Sequence, residues 1–141
     1  MQPDAPTTPA APLFRHTVRV YWEDTDAGGV VFYANYLKFF ERARTEWLRS
    51  LGVSQQRLRD ETGAIFIVAE TQVRYLRPAR LDDELDITVA VQSSGSASMR
   101  LAQQAWHGSA LLAEGEIRIG CVDAGTFRPV RIPSTIVQTL A

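Results

Sequence analysis

The sequence predicts an α+β domain in which a curled antiparallel sheet wraps around one long central helix. Three observations support this: a single strand leads into one strongly periodic helix, four strand-like segments follow it, and their connections are too short for parallel crossovers. With 141 residues, 45% of them hydrophobic, the chain can pack one core but not two.

Residues 1–13 carry four prolines among small and polar residues. They offer too little apolar surface to offset the entropy of ordering, and read as a disordered tail before a single domain over residues 14–141. Phe14, His16, Val18, Val20 and Trp22 then alternate with Arg15, Thr17, Arg19 and Tyr21, the period of a half-buried strand ending near Trp22. Residues 23–34 are rich in acids and carry Gly28 and Gly29, so they read as a loop with unusual backbone conformation.

Asn35 is placed to cap a helix, and Tyr36, Phe40, Ala43, Trp47 and Leu51 recur after it at spacings of four, three, four and four. A helix this apolar calls for burial nearly all round. Arg42 and Glu46 stand one turn apart, the spacing of a helix-surface pair, and Gly52 stands where a left-handed terminator belongs, which bounds the helix at about residues 35–51. A weaker helical patch over residues 54–61 stops at Gly63.

Residues 64–76 begin as a continuous apolar run and then alternate, as though the early half were covered on both faces; the strand ends before Pro78. Next, Leu85, Ile87, Val89 and Val91 alternate with Asp86, Thr88 and Gln92, and residues 93–96 form a Ser-Gly hairpin turn. A third strand covers about 98–106, and a turn at 107–109 leads into a fourth with Leu111, Ala113, Ile117, Ile119 and Cys121 on one side and Glu114, Glu116 and Arg118 on the other. Residues 133–140 read as a last helical turn.

Fifteen Lys and Arg stand against sixteen Asp and Glu, a formal net charge of -1, so no global field gathers nucleic acid, and any anionic ligand must be held locally. The single cysteine, Cys121, excludes an internal disulfide, and with only His16 and His107 beside it there is no zinc quartet. A reducing, cytoplasmic setting fits. No stretch reaches the ~20 apolar residues of a membrane span, and the N-terminus lacks the pattern of a secretory signal. His16, His107, Ser134 and Cys121 lack the neighbours that nucleophilic or imidazole chemistry requires. Asp26, beside two glycines, reads locally as a turn-forming acid, and Glu23, Asp24 and Glu41 read as loop or ion-pair residues.

Three ordered blocks change the reading of Asp26. Residues 20–36, Val-Tyr-Trp-Glu-Asp-Thr-Asp-Ala-Gly-Gly-Val-Val-Phe-Tyr-Ala-Asn-Tyr, are followed by Phe-Glu-Arg-Ala-Arg-Thr-Glu-Trp at 40–47. Arg-Tyr-Leu-Arg-Pro-Ala-Arg-Leu-Asp-Asp stands at 74–83, and Cys-Val-Asp at 121–123 precedes Arg128-Pro129. Together they resemble thioesterases of the 4-hydroxybenzoyl-coenzyme A type, and most closely the branch encoded beside the Tol-Pal envelope system; the likeness spans about residues 14–137.

The resemblance implies a hotdog fold, a homodimer at minimum or a tetramer, and hydrolysis of acyl-coenzyme A or acyl carrier thioesters without a cofactor of the enzyme's own. It implies Asp26 as the catalytic carboxylate, acting as nucleophile or as general base, and the helix start at Tyr33 and Ala34 as an oxyanion site built from backbone N–H groups. Many members of the Tol-Pal-associated branch carry histidine where this chain has Tyr33, so a role for a titrating imidazole there is in doubt, while a backbone role survives. The turn at 94–98, basic in some relatives, is uncharged here, so either Arg74, Arg77, Arg80, Arg100 and Ser98 are the candidates to contact coenzyme A, or the ligand is not coenzyme A. Two other readings compete. A hotdog hydratase would need a histidine paired with an acid, and neither histidine occupies such a motif; a binding protein for acyl carrier or an envelope partner would use the same scaffold with little or no catalysis.

Overall fold

Short turns between alternating strands make an antiparallel sheet the cheapest way to satisfy the backbone. In the computed structural model, which describes residues 13–140 with the side chains of 138–140 excepted, the sheet has five strands: β1 (Phe14–Arg19), β2 (Ala64–Tyr75), β3 (Glu84–Ser94), β4 (Ser98–His107) and β5 (Ala110–Asp123). They lie in the order β1-β3-β4-β5-β2, every neighbouring pair antiparallel. The helices are α1 (Asn35–Ser50), α2 (Gln55–Thr62) and α3 (Ser134–Leu140). The expected disordered tail lies, apart from Leu13, outside the described residues.

The long helix α1 packs on β1 and β3, setting Tyr36, Phe39, Phe40, Ala43, Trp47 and Leu48 into a core with Leu85, Ile87, Leu101 and Ile117. It is terminated as its glycine predicts: Gly52 (φ +84) donates to Arg49 O at 3.0 Å and Val53 N–H to Leu48 O at 2.9 Å, the paired bonds of a Schellman motif. Ser54 caps α2, its hydroxyl accepting from Arg57 N–H, and Gly63 (φ +76) ends it.

Several expectations are corrected. β1 stops at Arg19, because Tyr21 and Asp24 close a single 3-10 turn over Trp22–Asp24, and Trp22 points outward at 80% exposure. The helix is not buried all round: Leu37, Lys38, Glu41, Arg42 and Arg49 face out, as the amphipathic period allows. Glu46 pairs with Arg49 at 3.3 Å and not with Arg42. Within this chain β2 is an edge strand whose apolar run is covered only in part: Ala64 is buried, Ile65 and Phe66 are half-buried, and Val68 is 50% exposed.

A bulge in β2 positions the site. Val68 is registered with Ile119 and Glu70 with Arg118, so Ala69 has no partner and the side-chain parity flips. Phe66 and Val68 share the core side with Cys121 and Ile119; beyond the bulge Thr71, Val73 and Tyr75 take over that side, while Glu70, Gln72 and Arg74 face outward opposite Arg118, Glu116 and Glu114.

Candidate active site

The acid-rich loop folds back on itself. Asp24 is buried, and its Oδ2 accepts from Tyr21 N–H at 2.8 Å while its carbonyl takes Phe32 N–H and the Asn35 side-chain amide, each at 2.9 Å. Those bonds consume it structurally. Thr25 bridges Val31, and Asp26 N–H donates to Val30 O at 2.9 Å, which places Asp26 at the turn of a narrow antiparallel ladder. Its Oδ1 accepts from Gly28 N–H at 2.8 Å, and Gly29 (φ +80) closes the turn by donating to Asp26 O at 3.1 Å. Asp26 is exposed, and among the described residues its Oδ2 accepts no hydrogen bond. One oxygen is fixed in the turn and the other faces out without a donor among the described residues.

The helix start is open. Asn35 does not cap it: Asn35 is the first helical residue, its side chain is drawn into the loop by the Asp24 carbonyl, and the cap position falls on Ala34, which has no side-chain acceptor. Asn35 N–H donates to Phe32 O at 2.8 Å and Leu37 N–H to Ala34 O at 3.1 Å. Among the described residues, nothing accepts from the N–H groups of Tyr33 and Ala34. These two unused donors lie at the positive end of a sixteen-residue helix, where the helix field favours negative charge.

Beside that start lies a cleft of about 270 Å³ lined by Val31, Tyr33, Tyr36, Tyr75, Leu76, Arg77 and Pro78. Tyr36 is buried, and its hydroxyl accepts from Ala79 N–H at 3.2 Å; burial pushes its pKa up, partly offset by that bond. The Tyr75 hydroxyl donates to Tyr33 O at 3.0 Å, and its pKa is also raised, by burial and then by Tyr33. Tyr75 meets Tyr36 and Tyr33 edge-on at centroid distances of 5.5 and 6.1 Å. Asp26 does not line this cleft itself; it is joined to it through Val31, the partner of its neighbour Thr25.

The basic candidates divide. Arg77 lines the tyrosine cleft, and the Arg80 backbone bridges Val30 beside the Asp26 turn. Neither makes an ion pair among the described residues. Arg74 is paired with Glu114 at 3.2 Å and Arg100 with Glu70 at 3.6 Å, both on the outer face of the sheet. Ser98 opens β4 half-buried, its carbonyl taken by Gly95 N–H at 2.8 Å. Among the described residues no three His, Cys, Asp or Glu side chains converge to hold a metal ion.

Sequence reasoning passed over Tyr75 and the buried pair of Arg44 and Gln103. Tyr75 stands inside the second motif block, but its inward orientation depends on the bulge. Gln103 is fully buried; its amide nitrogen donates to Phe40 O at 3.0 Å and its oxygen accepts from Arg44 at 2.9 Å. Burial lowers the pKa of Arg44, with Glu41 acting in the opposite direction.

Residues 20–140 match the family described as the thioesterase-like superfamily. The chain is 47% identical over 126 residues to an acyl-CoA thioester hydrolase, YbgC, of Escherichia coli, covering 89% of this chain and 93% of that one. It is 42% identical over 123 residues to the acyl-CoA thioesterase YbgC of Haemophilus influenzae, covering 87% and 90%. Among solved structures, a probable thioesterase from Bartonella henselae superposes with a TM-score of 0.82 at 31% identity, over 86% of this chain and all of that one. The open helix start, the Asp26 turn and the sheet order stand in a chain that belongs to the thioesterase-like superfamily and has its hotdog fold.

Proposed function

We propose that this protein hydrolyses acyl-coenzyme A thioesters to free acid and coenzyme A. The observation that carries the reading is the pair of unused N–H donors at Tyr33 and Ala34, at the head of α1 and beside a tyrosine-lined cleft. A thioester carbonyl gains negative charge on its oxygen as it is attacked, and donors already in place stabilise that charge with little reorganisation. Asp26 supplies the other half. As nucleophile, its free oxygen forms a C–O bond to the carbonyl carbon, the C–S bond breaks, and the thiolate leaves and takes a proton from solvent; water then cleaves the mixed anhydride. As general base, it accepts the proton of an attacking water and later returns it to the leaving sulfur. Both routes need one carboxylate oxygen free, as Oδ2 is.

Arg77 and Arg80, at the cleft and beside the Asp26 turn, are the cations placed to meet coenzyme A phosphates; Arg74 and Arg100 would have to leave carboxylate partners, and Ser98 would contribute its hydroxyl. The uncovered β2 edge, with Ile67, Val68, Tyr75 and Leu76 all exposed, supports a homodimer in which a second copy covers this side, with a tetramer open as a further step. The enzyme needs no cofactor of its own for this chemistry, and a lone buried thiol, Cys121, suits a reducing cytoplasm. No helix among the described residues is long and apolar enough to cross a membrane. Thiol release from short, long and aromatic acyl-coenzyme A substrates tests the reading. Turnover that depends on Asp26 is expected, and slow release from every thioester would favour the carrier-binding alternative.

A further inference from the structure

We infer that Tyr75 is a positioning residue that holds the Tyr33–Ala34 peptide unit so that its N–H can bind the oxyanion. The inference rests on the thioesterase reading and extends it to a side chain on a different element. A trans peptide is planar, with its C=O and N–H pointing in opposite directions, so the Tyr33 carbonyl and the Ala34 N–H move as one rigid group. Tyr33 precedes the cap residue Ala34, so its carbonyl lies outside the hydrogen-bond ladder of α1. Here Leu37 N–H is given to Ala34 O, and among the described residues the Tyr75 hydroxyl at 3.0 Å is the one donor to Tyr33 O. The plane of this peptide is therefore set by Tyr75 and not by the helix.

Tyr75 is itself fixed. It is the last residue of β2, registered with Ala113, and its ring is gripped edge-on by Tyr36. Tyr36 is tied to Ala79 N–H, and Ala79 O accepts Val31 N–H at 2.9 Å, so the chain of contacts returns to the loop that carries Asp26. A donor on the carbonyl also polarises the peptide and strengthens its N–H as a donor on the far side. Because charge on the substrate oxygen is greater in the transition state than in the bound thioester, the effect falls on kcat and leaves KM nearly unchanged.

The test compares Tyr75→Phe, which keeps the ring and removes the hydroxyl, with Tyr75→Leu and with wild type, using thiol release from one acyl-coenzyme A and thermal unfolding. Losing the donor outright would cost ~100-fold or more, and loosening it is expected to lower kcat by about 5–20-fold in Tyr75→Phe. KM should stay within about twofold and the melting temperature within about 2 °C, while Tyr75→Leu loses more of both rate and stability. Wild-type kcat in Tyr75→Phe would overturn the inference, as would a loss carried by KM or matched by unfolding. Asp26→Asn in the same assay judges the catalytic carboxylate separately, so failure of one idea is distinguishable from failure of the other.

Discussion

Replacing Gln103 by Leu should destabilise the fold by about 3 kcal/mol, and most of that loss should vanish when Arg44 is replaced as well. Gln103 is fully buried between the sheet and α1, donating to Phe40 O at 3.0 Å and accepting from the Arg44 guanidinium at 2.9 Å. A longer, weaker bond of 3.4 Å from its amide nitrogen to Thr88 O adds little. Leu fills nearly the same space, so the loss is polar: about 2 kcal/mol for a buried cationic donor left without an acceptor, and about 1 kcal/mol for the neutral bond to Phe40 O. Arg44→Met removes the charge and strands a single amide oxygen, costing about 1 kcal/mol. The double variant retains only the loss at Phe40 O, about 1 kcal/mol, where independent sites would give about 4. Urea unfolding at one fixed protein concentration reads the cycle, and by heat Gln103→Leu should melt about 10 °C lower. Penalties that add to within about 0.5 kcal/mol would refute the coupling.

Gly115 sits where an added Cβ would meet the Phe40 ring at 3.1 Å and Gln72 O at 3.3 Å, so Gly115→Ala should lower stability by about 1–3 kcal/mol in the same unfolding assay. Backbone N–H donors from Thr126 and Gly125 hold the Asp123 carboxyl below its usual pKa. Its contribution to stability is therefore present above the unfolded pKa of about 4 and is lost as pH falls through the lower folded value; the wild-type advantage over Asp123→Asn in urea midpoint should be full at pH 6 and shrink toward pH 2. Val68→Lys puts a charge at a half-exposed position on the free edge strand β2 and should shift sedimentation equilibrium toward monomer, whereas an unchanged assembly would place the interface elsewhere.

Much of the fold was legible because local rules and tertiary structure agree. The glycines at 52 and 63 stop their helices in the left-handed conformation the sequence calls for, and the strands begin and end within a few residues of their alternating patterns. The failures sit where a specific side-chain bond or a bulge overrode the periodic pattern. Trp22 continues the alternation of β1, but the Asp24 carboxylate captures Tyr21 N–H and turns the chain out of the sheet. Asn35 has a capping side chain that the Asp24 carbonyl takes instead, leaving the donors at the helix start unused. Arg44 reads as a surface charge by type and is buried because Gln103, fifty-nine residues away, receives it. Tyr75 would have been placed on the wrong face by counting residues in twos from Phe66, since the bulge at Ala69 is invisible to a periodicity argument. At the site, Asp26 stood out through three motif blocks and not through its neighbours, whereas the tyrosine cleft required the fold.

The central claim, a free Asp26 oxygen acting toward a thioester held at the start of α1, is tested most directly by kcat/KM of Asp26→Asn on an acyl-coenzyme A substrate. The amide keeps an oxygen to accept Gly28 N–H, so the 2.8 Å turn bond and the melting temperature should survive while nucleophile and base are both lost. A fall of ~100-fold or more at unchanged melting temperature is predicted; hydrolysis at the wild-type rate would contradict the account.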